Sequence, residues 1–273
     1  MPAPRVLVVR APGTNSDEET ALAFERSGGA VDLLHLFRVL ERPAMLDDYQ
    51  IFCVPGGFSY GDDLGSGVIF ARHLTGPLGE ALGRFLAADK LILGICNGFQ
   101  TLLKAGVLPN GAADWGASTP APARATLTWN ESGRYDCRWV RLRVDRPDHA
   151  FLRGMGEVEM PIAHAEGRIA VSDPSVLDGW LKDGNVALRY APRKGELTND
   201  PPSATRTLPA PDNPNGSFAD IAGLSDPSGK VLGLMPHPER FQYAHHHPRW
   251  TRLGLTGDGA GLKLFQNAVQ WFA

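Results

Sequence analysis

Four short apolar runs within the first ninety-five residues constrain this chain more than any other feature. Arg5–Val9, Val31–Leu36, Gln50–Val54 and Leu91–Ile95 read as strands. Between and after them, Asp17–Ser27 (closed by Gly28-Gly29), Gly79–Ala88 and Asn97–Ala105 carry helical periodicity. Strands that stay apolar without alternating are covered on both faces, and strands separated by helices run parallel. The expected fold is therefore α/β, a doubly wound, mostly parallel sheet with helices on both faces. In such sheets the functional residues gather at the carboxyl ends of the strands.

The second half is less regular. Arg138–Val144, Glu157–His164, Val186–Tyr190, Phe218–Ala222 and Val231–Met235 read as strands, and Gly259–Phe272 as a closing helix. Arg193–Gly216, rich in Pro, Asn and Asp, reads as a loop excursion. The 31 glycines and 22 prolines show no period and fit many tight turns. These features predict one domain over residues 1–273, with loop and strand insertions in its second half.

Several classes of function are excluded. A net charge of −3 does not mark a nucleic-acid or anionic-membrane binder. Three cysteines without a CxxC pair make neither a disulfide framework nor a zinc ribbon. The longest apolar run, Leu91–Leu103, falls short of the roughly 20 residues that span a bilayer. The apolar stretch Val6–Val9 is too short for the core of an export signal. A cytoplasmic protein is expected.

The chemistry concentrates at Cys96. An apolar strand enters it, a helix leaves it, and Gly94 and Gly98 flank it, as a nucleophile on a sharp strand-to-helix bend requires. The helix N-terminus favours thiolate over thiol. Cys53, inside a strand, and Cys137, in a polar segment, lack this framing. A nucleophilic cysteine in acyl transfer needs a histidine base and an orienting carboxylate. His237 and Glu239, in Met235-Pro-His-Pro-Glu239 after a strand, supply both. Pro238 disfavours a helical His237, and residues two apart in an extended segment share a side. Pro55-Gly-Gly57 follows another strand, so the Gly57 and Asn97 N–H groups form the natural oxyanion pair.

Together, Gly94-Ile-Cys-Asn-Gly98, Pro55-Gly-Gly57 and His237-Pro-Glu239 resemble the class I glutamine amidotransferases, a flavodoxin-like family. Gly13-Thr-Asn-Ser-Asp17, Pro55–Asp62, Cys96–Gln100, Pro161–Arg168, Asn213–Ser217 and Gly233–Arg240 narrow the resemblance to the glutaminase subunits of phosphoribosylformylglycinamidine synthase, from Arg5 to about Arg240. The resemblance implies glutamine hydrolysis through a thioester on Cys96, with His237 as base and Glu239 as its orienter. It implies Gly57 and Asn97 at the oxyanion hole. It puts Gln100 beside bound L-glutamine, Gly56 and Phe58 among the substrate-binding residues, and His164 and Glu166 at the glutamine pocket or the partner interface. No cofactor or metal is expected on this chain. No P-loop string is present, so ATP and magnesium are expected on a large synthetase partner, with a small accessory subunit as a further candidate.

Two departures stand out. After Asp62 the chain runs Asp63-Leu-Gly-Ser-Gly67, which looks closer to the fused, large-synthetase form of the family. Extra length falls around Asn110–Gly133 and Arg193–Pro214. The rival readings are the glutaminase of another ligase, a stand-alone cysteine γ-glutamyl hydrolase or peptidase, and a non-catalytic scaffold. The tract His245-His246-His247 reads as a solvated loop, and Trp129, Trp139 and Phe151 as core or interface residues.

Overall fold

The computed structural model describes residues 2–113, 115, 124–192 and 207–273. The first half alternates strand and helix. Strand β1 (Arg5–Arg10) leads to α1 (Asp17–Arg26), β2 (Ala30–His35) and α2 (Leu36–Glu41). Next come β3 (Ile51–Val54), α3 (Val68–Thr75), α4 (Gly79–Ala87), β4 (Leu91–Ile95) and α5 (Asn97–Lys104). The second half adds β5 (Ala125–Thr128), β6 (Asp136–Val144), β7 (Glu157–His164), β8 (Arg168–Val171), α6 (Pro174–Lys182) and β9 (Val186–Tyr190). It closes with β10 (Ile221–Ser225), β11 (Val231–Leu234), α7 (Trp250–Leu253) and α8 (Leu262–Gln270).

Nine strands form one sheet in the order β2-β1-β3-β4-β11-β10-β9-β6-β7, while β5 and β8 pair separately. From β2 to β11 every neighbour is parallel, and from β11 to β7 every neighbour is antiparallel. Alternation in that second half still leaves seven of the nine strands pointing one way; β10 and β6 are the exceptions. The parallel half has the composition such burial demands. Val6 to Val9, Ile51 to Val54 and Leu91, Leu93 and Ile95 are fully buried, each large side chain contributing roughly 1.5–3 kcal/mol. The chain turns back between β1–β2 and β3–β4, and right-handed crossovers then place α1 and α5 on opposite faces. Phe24 of α1 packs edge-on against Phe265 of α8 on one side, while α3 packs against α5 on the other.

Three expectations are corrected. Leu36 leaves the second strand and begins α2, where the His35 ring accepts the Phe37 N–H and caps the helix. Phe218–Asp220 is a 3-10 turn with Ala219 and Asp220 at positive φ, and the strand begins only at Ile221. The closing helix starts at Leu262, because Gly259 and Gly261 are pressed against the Phe241 backbone. Of the two long segments, residues 114, 116–123 and 193–206 lie outside the described residues.

Candidate active site

Strand β4 ends at Ile95, and Cys96 turns the chain into α5 with φ 50° and ψ −103°. A non-glycine residue in this region stores about 1–3 kcal/mol, which the surroundings must offset. The Cys96 N–H donates to the Leu234 carbonyl at 2.8 Å, and its carbonyl accepts the Gln100 N–H at 3.0 Å. The helix can start this tightly because position 98 carries no side chain: a Cβ there would lie 1.8 Å from the Val54 carbonyl oxygen. Cys96 is 5% exposed, and the opening faces a cleft.

His237 follows β11. Its N–H donates to the Pro161 carbonyl at 2.8 Å, which ties it to β7. The extended geometry expected from Pro238 is only partly present. His237 has φ −108° and ψ 84°, and Pro238–Arg240 closes a 3-10 turn that brings Glu239 under the ring. Nδ1 and Glu239 Oε1 are 2.5 Å apart, with both side chains buried. The other ring nitrogen, Nε2, is buried and has no hydrogen bond of ordinary geometry, although the Cys96 sulfur lies near enough to favour a proton there. Contacts of this kind are commonly loose without substrate. Burial disfavours charge on His237; the Glu239 carboxylate and the Cys96 sulfur outweigh it and push the imidazole up to about 10.

The loop after β3 is held by Gly13-Thr-Asn-Ser-Asp17. The Asn15 and Ser16 N–H groups donate to the Gly56 carbonyl at 3.2 and 3.3 Å, and the Phe58 N–H donates to Gly13 at 2.8 Å. In a planar trans peptide the carbonyl and the next N–H point in opposite directions. Anchoring the Gly56 carbonyl on one side therefore turns the Gly57 N–H to the other. Gly57 has φ 149°, and a Cβ there would press on the Thr14 backbone. The Asn97 N–H lies in the first turn of α5, where helices leave donors without an intrahelical partner.

Asn97 also organises the cleft with its side chain. Oδ1 accepts from the Ser59 N–H, while Nδ2 donates to Asp62 Oδ1 and Gln100 Oε1. Gln100 Nε2 donates to the Glu166 carbonyl at 2.6 Å, joining α5 to the segment after β7. These contacts frame a cleft of about 240 Å³, lined by Cys96, Gly57 and Phe58 at one end and Gln100, His164 and Glu166 at the other. Asp62 and Ser66 also line it. Burial pushes the Asp62 carboxyl up, against hydrogen bonds from Ser66 and Asn97. His164 Nδ1 bonds Asn130 Oδ1 at 3.1 Å, and burial with the facing His237 holds its pKa down to about 3.

The structure thus brings together Cys96, His237, Glu239, Gly57 and Asn97, with Phe58, Gln100, His164 and Glu166 on the cleft wall. Gly56 stands behind the wall, beside His237 and Cys96. Cys53 is buried in β3, and burial, helped by Glu239, pushes its thiol well up. Cys137 lies exposed on β6. Asp62, Ser66 and Asn130 escaped the sequence reading; the tight Tyr60-Gly-Asp62 turn, with three successive positive φ angles, is the signal that could have found the first. His247 corrects the solvated-loop expectation. It is buried against Trp139 and bonds Glu159 at 2.7 Å, and only His245 and His246 are exposed. Phe151 is core, Trp139 packs on Phe241, and Trp129 is 57% exposed at the cleft mouth.

Residues 3–272 match the model of the CobB/CobQ-like glutamine amidotransferase domain. The chain belongs to the glutamine amidotransferase family. Within it, the chain is 41% identical to phosphoribosylformylglycinamidine synthase subunit PurQ of Dehalococcoides mccartyi, over 98% of this chain and 97% of that one. Identity to the same-named subunit of Pyrococcus furiosus is 38%, over 97% and 96%. Among solved structures, PurLQS from Thermotoga maritima superposes with a TM-score of 0.69 at 32% identity, covering 99% of this chain and 100% of that one. That superposition agrees with the sheet described above. No helix among the described residues is long and apolar enough to cross a membrane.

Proposed function

We propose that this amidotransferase hydrolyses L-glutamine at Cys96 and passes the ammonia to a synthetase partner that makes phosphoribosylformylglycinamidine. The observation that carries the reading is the buried Glu239–His237 pair set beside a cysteine on a strained strand-to-helix bend. The side-chain carbonyl of glutamine sits between the Gly57 and Asn97 N–H groups, a contact worth ~3–4 kcal/mol per donor. The Cys96 sulfur attacks that carbon. Imidazolium His237 gives its Nε2 proton to the departing nitrogen, the C–N bond breaks, and ammonia leaves a γ-glutamyl thioester. Water then adds with His237 as base, glutamate departs, and the thiolate–imidazolium pair is restored. Asp62 and Glu166 put negative charge opposite the α-ammonium group of the substrate. A cleft of about 240 Å³ suits one amino acid, being smaller than the ~300 Å³ at which pockets for larger ligands begin.

The ATP-dependent step belongs to the partner, a large synthetase subunit, with a small accessory subunit completing the assembly. This chain contributes glutaminase activity to purine biosynthesis, as its subunit-level relatives indicate. The deciding experiment compares the amidine-forming rate of the reconstituted complex on glutamine and on ammonium for Cys96→Ala. The ammonium rate should persist while the glutamine rate falls by about 10⁴–10⁶. A variant that still used glutamine at the parent rate overturns the proposal.

A further inference from the structure

Gly13-Thr-Asn-Ser-Asp17 braces the loop after β3 through its backbone, but that leaves the Ser16 side chain unexplained. Serine immediately before a helix ordinarily caps it, accepting an N–H from the first turn. Ser16 does not: with φ −114° and ψ 22°, its side chain makes no capping bond to α1. It is wholly buried, and its hydroxyl has no hydrogen-bond partner. A buried hydroxyl without a partner destabilises the fold unless something else gives it a use. Its surroundings supply the missing reason. A Cβ built on Gly56 would lie 2.8 Å from Ser16 Oγ, 2.9 Å from His237 Cε1 and 3.5 Å from Cys96 Cβ. The hydroxyl, the imidazole edge and the cysteine therefore converge on the one point that Gly56 leaves open.

We infer that Ser16 is a positioning residue of the glutaminase site, its hydroxyl oxygen accepting the Cε1–H edge of His237 and holding the ring between Cys96 and Glu239. This inference rests on the proposed function. The Cε1–H bond is weakly polar in neutral imidazole and far more so in imidazolium, so the contact favours the protonated ring that must surrender a proton to ammonia. The groups facing His237 are Glu239 from its own turn, Cys96 from the head of α5 and His164 from β7, with Arg240 3.9 Å from Glu239. Ser16 adds no charge to this set. It adds an oxygen dipole on the Cε1 side of the ring, away from the Glu239 contact at Nδ1.

The test compares Ser16→Ala and Ser16→Gly with the parent as full chains, using two measurements. One is the pH profile of glutamine hydrolysis, read together with the synthetase partner. The other is the NMR signal of the ¹³C-labelled His237 Cε1–H, assigned by its disappearance in His237→Asn. Both variants should keep the parent KM and lose about two- to fivefold in kcat, the size of one weak polarised contact. The alkaline limb, where His237 loses its proton, should fall by roughly half a pH unit. The Cε1–H signal should move upfield. An unmoved limb together with a parent-like signal overturns the inference, whatever happens to kcat. If the parent itself failed to hydrolyse glutamine, the proposed function would fall, while the NMR comparison would still decide the Ser16 contact.

Discussion

His237 is buried where charge is disfavoured, yet its proton is held by a carboxylate on one side and a sulfur on the other. A ring in this position depends on Glu239 for both orientation and charge. On the proposed mechanism His237→Ala removes the base and should lower glutamine-dependent turnover as far as Cys96→Ala, about 10⁶ at the extreme. Glu239→Ala leaves ring and sulfur in place and should be milder, on the order of 10⁴, with the alkaline limb of the pH profile moved down. Turnover with glutamine, set against turnover with ammonium, separates these losses from any damage to the complex. The three residues were legible because each stands in a short string after an apolar strand. Ser16 and Asn130 were not, because what matters about them is a neighbour distant in sequence. Asn130 meets His164 across 34 positions, and no local pattern announces that.

At the scale of elements, the bend at Cys96 depends on how closely α5 lies against β3. Gly98→Ala would drive a methyl group into the Val54 carbonyl oxygen and should cost more than ~3 kcal/mol, read as a fall in the urea midpoint. Gly106, after the same helix, has φ 77° and open space around its Cβ position, so Gly106→Ala should cost only about 1 kcal/mol, from backbone strain. The pair separates crowding from strain on one helix. Other elements escaped the sequence reading for physical reasons. Helix α3 starts at Val68-Ile-Phe behind a left-handed Gly67, with no polar cap, so its sequence resembles a strand. Helix α6 is different: Asp173 caps it and Pro174 occupies its first turn, a start signal that the sequence does carry. The order of the antiparallel strands was out of reach, since β9, β6 and β7 pair through registers that their shared periodicity does not specify.

For the whole molecule, the buried histidines set the pH range of stability. His149 accepts the Phe151 N–H at Nδ1 and donates from Nε2 to Val231, so both ring nitrogens are used in the neutral form, and burial holds its pKa down to about 4. His164 is likewise neutral, near 3. Both are free to protonate near 6.5 once the chain unfolds, so their contribution is complete above that pH and is lost as pH falls, about 3 kcal/mol from His149 by pH 4. His237 has the opposite sign. Its raised value contributes below 6.5, and that contribution is lost as pH rises towards 10. Urea midpoints should therefore peak near pH 6.5 and fall on both sides. His149→Gln, which retains a donor for Val231 but cannot take up a proton, should flatten the acid side.

The central place of β11, paired with β4 on one side and β10 on the other, also bears on how the chain is made. A ribosome releases Leu91–Ile95 long before Val231–Leu234, on the order of ten seconds earlier at ordinary elongation rates. During that interval the nascent sheet ends in an apolar strand with one edge unsatisfied, the kind of surface that recruits a second chain. The same delay keeps His237 away from Cys96 until the segment after β11 has emerged. On the proposed mechanism a chain interrupted before Val231 cannot release ammonia, and it should precipitate rather than persist as a leaky hydrolase.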